Sequence, residues 1–372
     1  MKKDEPYRGF EQGRIRPPSE SGSLLIRVSR NCPWNRCTFC NLYKDTKFSL
    51  RTVNNILKDI ELISGHVKRI KNNDAMSSQF NRDEEMVYYA ALTWVRNGMK
   101  SIFLQDSNSL IIKPDDLVTI LNYLTDTFTE IERITSYARS HTIARISDKD
   151  LEHIAAAGLN RIHVGMESAS DKVLSLVKKG TDKAMQIRAG QKVKQAGIEL
   201  SEYYIPGLGG KKLSREHALE TADALSRINP DFIRLRTLAV PENVELFKDL
   251  STRTLKPLGD TQVAEEILLF IESLENITST IKSDHILNLL QEVEGTLPEK
   301  KEQMTSIIKQ FLSLNIEEQM LFQIGRRTGV FSRLEDLNNR RLRMYAERNY
   351  TDLNVTPQNI DQIIAQLMTT FI

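Results

Sequence analysis

The sequence predicts an α/β fold: a (β/α)6 partial barrel over residues 22–240, followed by a helical C-terminal region over residues 241–372. Two observations predict this class. Six short apolar runs typical of strands alternate with helix-like patterns, which favours a parallel sheet with right-handed crossovers. Beyond Pro241 the strand-like runs end, and leucine and isoleucine recur at helical spacing. Six units are too few for a closed eight-stranded barrel, so an open barrel is expected, with a doubly wound sheet as the alternative.

The predicted elements follow one another in a regular order. Residues 1–21 are polar, and Pro17 and Pro18 predict an extended N-terminal segment. The strand candidates are 23–29, 101–105, 132–138, 161–167, 199–205 and 231–239. Ser49 is expected to begin the first helix, and residues 64–98 are long enough to predict a helical insertion after it. The helical patterns of the C-terminal region are 261–275, 283–294, 299–313, 331–348 and 356–371.

Local patterns support these assignments. In the fourth strand candidate Ile162, Val164 and Met166 alternate with other residues, as expected for one face of a strand. Ser147 can cap the helix that follows it, and Gly158 can end that helix.

Composition bounds the class of protein. Of the 372 residues, 40% are hydrophobic and 27% are charged, which is typical of a soluble globular chain. The net charge of +2 gives no evidence for a nucleic-acid partner. There is no run of about 18 apolar residues to span a membrane, and no apolar segment follows Lys2 and Lys3 as in a signal peptide. We therefore expect a cytoplasmic, reducing location.

All three cysteines lie within nine residues, as Cys32, Cys37 and Cys40 in a C-x4-C-x2-C pattern directly after the first strand candidate. Three thiolates can hold three irons of a [4Fe–4S] cluster and leave the fourth iron open. Structural zinc usually needs four ligands, and the nearest downstream histidine, His66, lies beyond a predicted helix. Unligated core thiols are a further alternative, but asparagine and arginine neighbours do not suit a core.

A triple-cysteine loop after the first strand of a βα barrel, with Phe39 before the last cysteine, resembles the radical S-adenosylmethionine (SAM) superfamily, whose core is a partial TIM barrel. The resemblance covers residues 22–240, although the first cysteine gap has one extra residue and the usual Gly-Gly motif after the second strand is missing. Residues 157–182 resemble the branch that contains oxygen-independent coproporphyrinogen oxidases and related tRNA-modifying enzymes.

The resemblance implies two cofactors, a [4Fe–4S] cluster and SAM, and an external one-electron reductant of the flavodoxin or ferredoxin type. It implies an enzyme that cleaves SAM reductively to a 5′-deoxyadenosyl radical, which abstracts hydrogen from an unidentified substrate. No cysteine remains for an auxiliary cluster, and the Asp-x-His-x-x-Gly signature of cobalamin domains is absent. The alternative is a non-catalytic iron–sulfur or zinc protein that acts as a sensor or scaffold.

The resemblance also assigns residues to SAM. They are Phe39 for the adenine, Gln105, Asp106 and Ser107 for the amino group, Arg139 and Lys179 for the carboxylate, Glu167 for the ribose or methionyl group, and Gly207 and Leu208 for the adenine. Each has an ordinary alternative: a polar loop for the segment after the second strand, a helix-end cation for Lys179, and a plain turn for Gly207.

Substrate and catalytic candidates are fewer. Arg234 and Arg236 alternate along the sixth strand candidate, so both are expected to face an anionic substrate, unless they lie on an exposed edge. His285 is a further substrate candidate, although Ser283 capping a helix explains its surroundings equally well. His141 and Tyr204 are the catalytic candidates.

Overall fold

The computed structural model describes residues 6–73, 82–251 and 255–369, and the chain divides into two compact units. The first unit comprises Met1–Asn35, Leu42–Gly165 and Arg188–Leu200. The second unit comprises Arg36–Asn41, Met166–Ile187 and Ser201–Ile372. The predicted division at residues 21 and 240 stays a prediction.

The described residues form ten strands and fourteen α-helices. The strands are β1 Leu24–Arg27, β2 Ser29–Arg30, β3 Ser49–Leu50, β4 Ser101–Gln105, β5 Arg133–Ala138, β6 Leu159–Glu167, β7 Glu199–Tyr204, β8 Phe232–Leu235, β9 Thr280–Lys282 and β10 Gly295–Thr296. The helices are α1 Val53–Lys71, α2 Arg82–Arg96, α3 Pro114–Thr127, α4 Ser140–Ile143, α5 Asp148–Ala156, α6 Asp171–Leu176, α7 Lys183–Gln195, α8 Gly210–Ile228, α9 Glu245–Ser251, α10 Asp260–Glu272, α11 Lys301–Ser313, α12 Ile316–Arg327, α13 Arg340–Asp352 and α14 Ile360–Thr369.

One mainly parallel sheet organises these elements. Its strand order is β1-β4-β5-β6-β7-β8-β9-β10, and β2 pairs with β3 in a separate two-stranded sheet. The pairs β1–β4, β4–β5, β5–β6, β7–β8 and β8–β9 are parallel, whereas β9–β10 is antiparallel. The predicted fold class, an α/β partial TIM barrel, is confirmed.

The start of the chain differs from the prediction in two places. The first strand candidate divides into β1 in the main sheet and β2, which pairs with β3. Ser49 lies in β3 and does not begin a helix; α1 begins after Thr52, whose side chain accepts a hydrogen bond from the backbone N–H of Asn55. Ser147 does cap α5, because its hydroxyl accepts from the backbone N–H of Asp150 at 3.0 Å. The predicted insertion falls on the end of α1 and on α2, and residues 74–81 within it lie outside the described residues.

The C-terminal region is not wholly helical, as the sequence had suggested. It adds β9 and β10 to the sheet, and residues 283–294 between them contain no helix. The Ser283 hydroxyl donates to the carbonyl of Leu290 at 2.9 Å and therefore caps no helix. Leu287, Leu289 and Leu290 lie on an irregular loop and are buried. Their spacing resembles that of the buried residues of a helix, which explains the wrong helix prediction.

The strands of the first unit carry buried apolar side chains. Ile26, Phe103, Ile162 and Val164 are at most 1% exposed. Trp94 is also buried, and its indole N–H donates to the carbonyl of Ser101 at 2.8 Å. Among the described residues, no helix is both long and apolar enough to cross a membrane.

Candidate functional site

Cys32 lies on the loop that follows β2, and two residues near it have a left-handed backbone conformation. Asn31 has φ 67° and Asn35 has φ 47°, a region that asparagine enters more readily than most residues. The backbone N–H of Asn35 donates to Cys32 Sγ at 3.4 Å. Hydrogen bonds to cysteine sulfurs tune iron–sulfur clusters, so this turn suits a thiolate ligand.

Asp106, which follows β4, holds this loop in place. Its side chain is fully buried and forms a salt bridge with Arg27, whose Nε and Nη2 donate to Oδ2 at 2.9 and 2.7 Å. The backbone N–H of Asn31 donates to the same oxygen at 3.0 Å, and the Tyr43 hydroxyl donates to Oδ1 at 3.1 Å. Both carboxylate oxygens therefore have protein donors, and contact of this side chain with SAM stays a prediction.

The neighbours of Asp106 have similar roles. Gln105 is fully buried; its Oε1 accepts from the N–H of Gly13 at 2.7 Å, and its Nε2 donates to the carbonyl of Ile15 at 2.6 Å. The Ser107 hydroxyl donates to the carbonyl of Asn31 at 3.2 Å. The end of β4 thus anchors both the N-terminal segment and the cysteine loop.

Arg139 and His141 follow β5 in the first unit. The Arg139 guanidinium lies 5.0 Å from the ring centre of Trp34, so it is adjacent to the cysteine loop. His141 lies in α4, where burial, followed by the charges of Arg145 and Arg139, lowers its pKa. The histidine is therefore neutral near neutral pH, and roles for both residues stay predictions.

Cys37, Phe39 and Cys40 belong to the second unit, where their loop is fixed by its backbone. The Thr38 N–H donates to the carbonyl of Val177 at 3.1 Å, and the Thr38 carbonyl accepts from Leu246 N–H at 2.9 Å. All three cysteines are half-buried and none is in a disulfide. No group of three histidine, cysteine or carboxylate side chains among the described residues is arranged to hold a single metal ion. A [4Fe–4S] cluster differs from such a site because its thiolates bind separate irons.

Phe39 and Leu208, both assigned to the adenine, lie in one apolar cluster. Its buried members are Val173, Val177, Leu208, Val244, Leu246 and Leu255, and Phe39 packs against it. Gly207 has φ 84° and borders an apolar cleft of about 240 Å³ that also includes Leu238 and Phe247. The structure therefore brings Phe39 and Leu208 together.

Glu167 and Lys179 form an ion pair at the end of β6. Lys179 Nζ lies 3.0 Å from Glu167 Oε1, and both side chains are largely buried. Glu167 has φ 63°, an uncommon conformation for a residue with this side chain. Next to this pair lies Glu202, 2% exposed, whose pKa is raised well above its ordinary value by burial and by the charge of Glu167. Its Oε2 has no hydrogen-bond partner among the described residues.

Tyr204 lies on β7 and is fully buried. Its hydroxyl donates to Glu266 Oε1 at 2.9 Å, and its ring centre lies 4.5 Å from that of Phe270. Glu266 also accepts from the backbone N–H of Gly207 at 2.8 Å, so this carboxylate fixes the Gly207 turn. A catalytic role for Tyr204 stays a prediction that its burial does not favour.

Arg234 and Arg236 both contact Asp284, which lies two residues beyond β9. Arg234 Nη1 donates to Oδ2, and Arg236 Nη1 donates to Oδ1 at 2.7 Å. His285 is the next residue, and it is partly buried. The arginines and the histidine predicted to bind substrate therefore lie in one cluster.

Three functional candidates were missed from the sequence: Glu202, Glu266 and Asp284. Glu202 is an acidic residue directly before the aromatic residues Tyr203 and Tyr204 of β7, which is a recognisable signal. Glu266 and Asp284 lie in the C-terminal region, and nothing in their local sequence shows the contacts they make with Gly207 and the two arginines.

Comparison with known proteins identifies the family. The radical SAM superfamily model matches residues 26–225, more than half of the chain. Two curated tRNA uridine(34) acetyltransferases, of Methanocaldococcus infernus and Methanocaldococcus jannaschii, are 24% and 25% identical over 122 and 133 residues. These matches cover 32% and 34% of this chain but 23% and 24% of the relatives, so the chain matches about a quarter of their length.

Similar solved structures include one bacterial and one archaeal protein. Coproporphyrinogen III oxidase (HemN) from Escherichia coli gives a TM-score of 0.45 at 14% identity, covering 67% of this chain and 52% of that one. Elp3 of Methanocaldococcus infernus gives 0.42 at 15% identity, covering 71% of this chain and 57% of that one. On the strength of the family match over residues 26–225, the chain belongs to the radical SAM superfamily of enzymes.

Proposed function

We propose that this chain binds a [4Fe–4S] cluster through Cys32, Cys37 and Cys40 and uses it with SAM to start radical chemistry on a substrate. The observation that carries the proposal is the set of three half-buried thiols on one loop, inside the region that matches the superfamily. When bound, the two cofactors supply reductive cleavage of SAM and, through it, hydrogen abstraction from the substrate.

The residues of the first unit are proposed to position Cys32 and the methionyl end of SAM. Asp106 neutralises Arg27 and holds the backbone of Asn31, which fixes the direction in which Cys32 points. The backbone carbonyls of residues 105–107 are proposed to accept from the SAM amino group. Arg139, stacked on Trp34, is proposed to donate to a carboxylate through its planar fork.

The residues of the second unit are proposed to hold the nucleoside end of SAM. Phe39, Leu208 and the turn at Gly207 offer an apolar surface to a flat ring, and the lack of a side chain at Gly207 permits close approach. Glu167 is proposed to accept hydrogen bonds from the ribose hydroxyls. Lys179 orients the Glu167 carboxylate through their 3.0 Å contact and remains a candidate for the SAM carboxylate.

Radical SAM enzymes need an external one-electron reductant, and a flavodoxin or ferredoxin is proposed here. The tRNA substrate in the names of the curated relatives is not transferred, because their matches span about a quarter of those proteins.

Cluster binding is tested by anaerobic reconstitution with iron and sulfide, followed by metal and sulfide analysis and electron paramagnetic resonance after reduction. We expect about four irons and four sulfides per chain, and a change in the spectrum when SAM is added. The separate variants Cys32→Ser, Cys37→Ser and Cys40→Ser should lose the cluster, while the loop control Asn41→Ser should keep it. Binding of zinc in place of iron, or a cluster spectrum unchanged by SAM, would contradict the proposal and favour a sensor or scaffold.

A further inference from the structure

The cluster formed by β8 and the loop after β9 places one carboxylate between two arginines. Asp284 contacts Arg234 through Oδ2 and Arg236 through Oδ1. Arg234 is 5% exposed, and its Nε also donates to the Ser201 hydroxyl at 3.1 Å. The Arg236 guanidinium carbon lies 4.7 Å from the ring centre of Tyr203, which fixes its plane. The parts of this cluster are therefore held in position before any ligand arrives.

The charges within this cluster do not balance. Two guanidinium groups contact a single carboxylate, so these three side chains carry one positive charge in excess. Glu294 of the same loop is paired with Lys282 at 3.0 Å. The nearby Arg327 does not add to this excess, because Asp260 contacts it at 2.6 Å. Partly buried charge is costly unless it is paired, so the arrangement favours a further anion.

Two buried nitrogen atoms in the cluster lack partners. Arg236 uses Nη1 for Asp284 and for the carbonyl of Leu235, while its Nη2 is buried with no acceptor among the described residues. His285 Nδ1 is likewise buried and unpartnered within the described part of the chain. Native proteins rarely leave a buried guanidinium N–H unpaired, and such a group often marks a ligand position.

We infer that Arg236 Nη2 and His285 Nδ1 together bind a carboxylate group of the substrate, with Arg234 and Asp284 holding Arg236 in place. A singly charged carboxylate balances the excess charge, and its two oxygens match two separate donors. This inference deepens the proposed function and rests on it, since it names the substrate class of the same enzyme.

The protonation state of His285 suits this role. Burial, followed by the charge of Arg236, lowers its pKa to about 4, so the ring is neutral near neutral pH. A neutral imidazole can carry its proton on Nδ1 and donate it without adding a second positive charge. A dianionic phosphate would exceed the positive charge available, which makes a carboxylate the better match.

The test uses saturation-transfer NMR with small probes that each carry a methyl reporter: acetate, methyl phosphate and methylammonium. The full chain is prepared anaerobically with its cluster, and ionic strength is held constant with sodium chloride. We expect acetate to bind and methylammonium not to bind. Arg236→Met should weaken acetate binding at least about tenfold, because a charge-assisted hydrogen bond is lost. The control Arg341→Met, at an exposed position of α13, should change it less than about twofold.

His285→Gln provides a second variant in case Arg236→Met does not fold, and circular dichroism checks both. We expect this variant to weaken acetate binding severalfold. Equal acetate binding in wild type and both variants overturns the inference, as does tighter binding of methyl phosphate than of acetate. Displacement of acetate by SAM also overturns it, because the position would then serve the cofactor carboxylate. The assay needs no SAM cleavage and is repeated on the cluster-free chain, so its failure is distinguishable from failure of the proposed function.

Discussion

Replacing Asp106 by asparagine tests whether this residue organises the cysteine loop. The substitution keeps the size of the side chain but removes a fully buried charge that contacts Arg27 at 2.7 Å and accepts from Asn31 and Tyr43. Removing one partner of a buried ion pair typically costs 3–5 kcal/mol. The Arg27 side chain is 15% exposed, and its Nη1 lies 3.5 Å from Glu11 Oε2, so Arg27 would not be left without a partner. We therefore expect a loss of stability at the lower end of this range, about 3 kcal/mol.

The loss can be measured by urea unfolding of the cluster-free protein. Both tryptophans, Trp34 and Trp94, lie in the first unit, so their fluorescence follows the unit that contains Asp106. With a slope of about 2 kcal/mol per molar urea, the midpoint should fall by about 1.5 M. The matched control is Asp148→Asn, since the Asp148 side chain is 71% exposed and its contact with Lys192 should contribute under about 1 kcal/mol. Equal midpoints for the two variants would refute the buried-pair argument.

Three further predictions concern the second unit. Lys179→Met should weaken SAM binding about tenfold in equilibrium dialysis, because Glu167 loses its 3.0 Å partner; the exposed neighbour substitution Lys178→Met should leave SAM binding within about twofold. Phe39→Ala should also weaken SAM binding by about tenfold through lost apolar contact, and an unchanged affinity would remove Phe39 from the adenine site. His285 is neutral in the folded chain with a pKa of about 4 and titrates at its ordinary 6.5 when unfolded, so the unfolded state binds more protons between these values. Stability should therefore fall as pH falls through this range, by at most about 3 kcal/mol, and His285→Gln should reduce that slope in urea unfolding followed by circular dichroism; an unchanged slope would contradict the assignment.

The six core strands were predictable because buried parallel strands carry apolar runs that a reader of the sequence can locate. β9 and β10 were not, since runs of three and two residues carry no periodic signal. The buried leucines of residues 283–294 have the spacing expected of a helix, although their backbone is irregular. The apolar pattern therefore predicted which residues are buried but not the secondary structure of their backbone.

The residues of the candidate site also differ in how far the sequence predicts them. The cysteine spacing and the acidic residue at the end of β6 are local signals, and they led to the family that the comparison confirmed. The partners of Asp106 come from 63 to 79 positions away, and Asp284 is separated from Arg236 by 48 positions. Contacts over such distances follow from strand order, which a single sequence does not encode in any local pattern.

The most direct test of the central claim is production of 5′-deoxyadenosine. The anaerobically reconstituted chain is reduced with dithionite in the presence of SAM, and the product is followed by chromatography. Our account predicts 5′-deoxyadenosine from the wild type and none from a Cys32→Ala, Cys37→Ala, Cys40→Ala triple variant. A cluster-loaded wild type that neither binds nor cleaves SAM would contradict it.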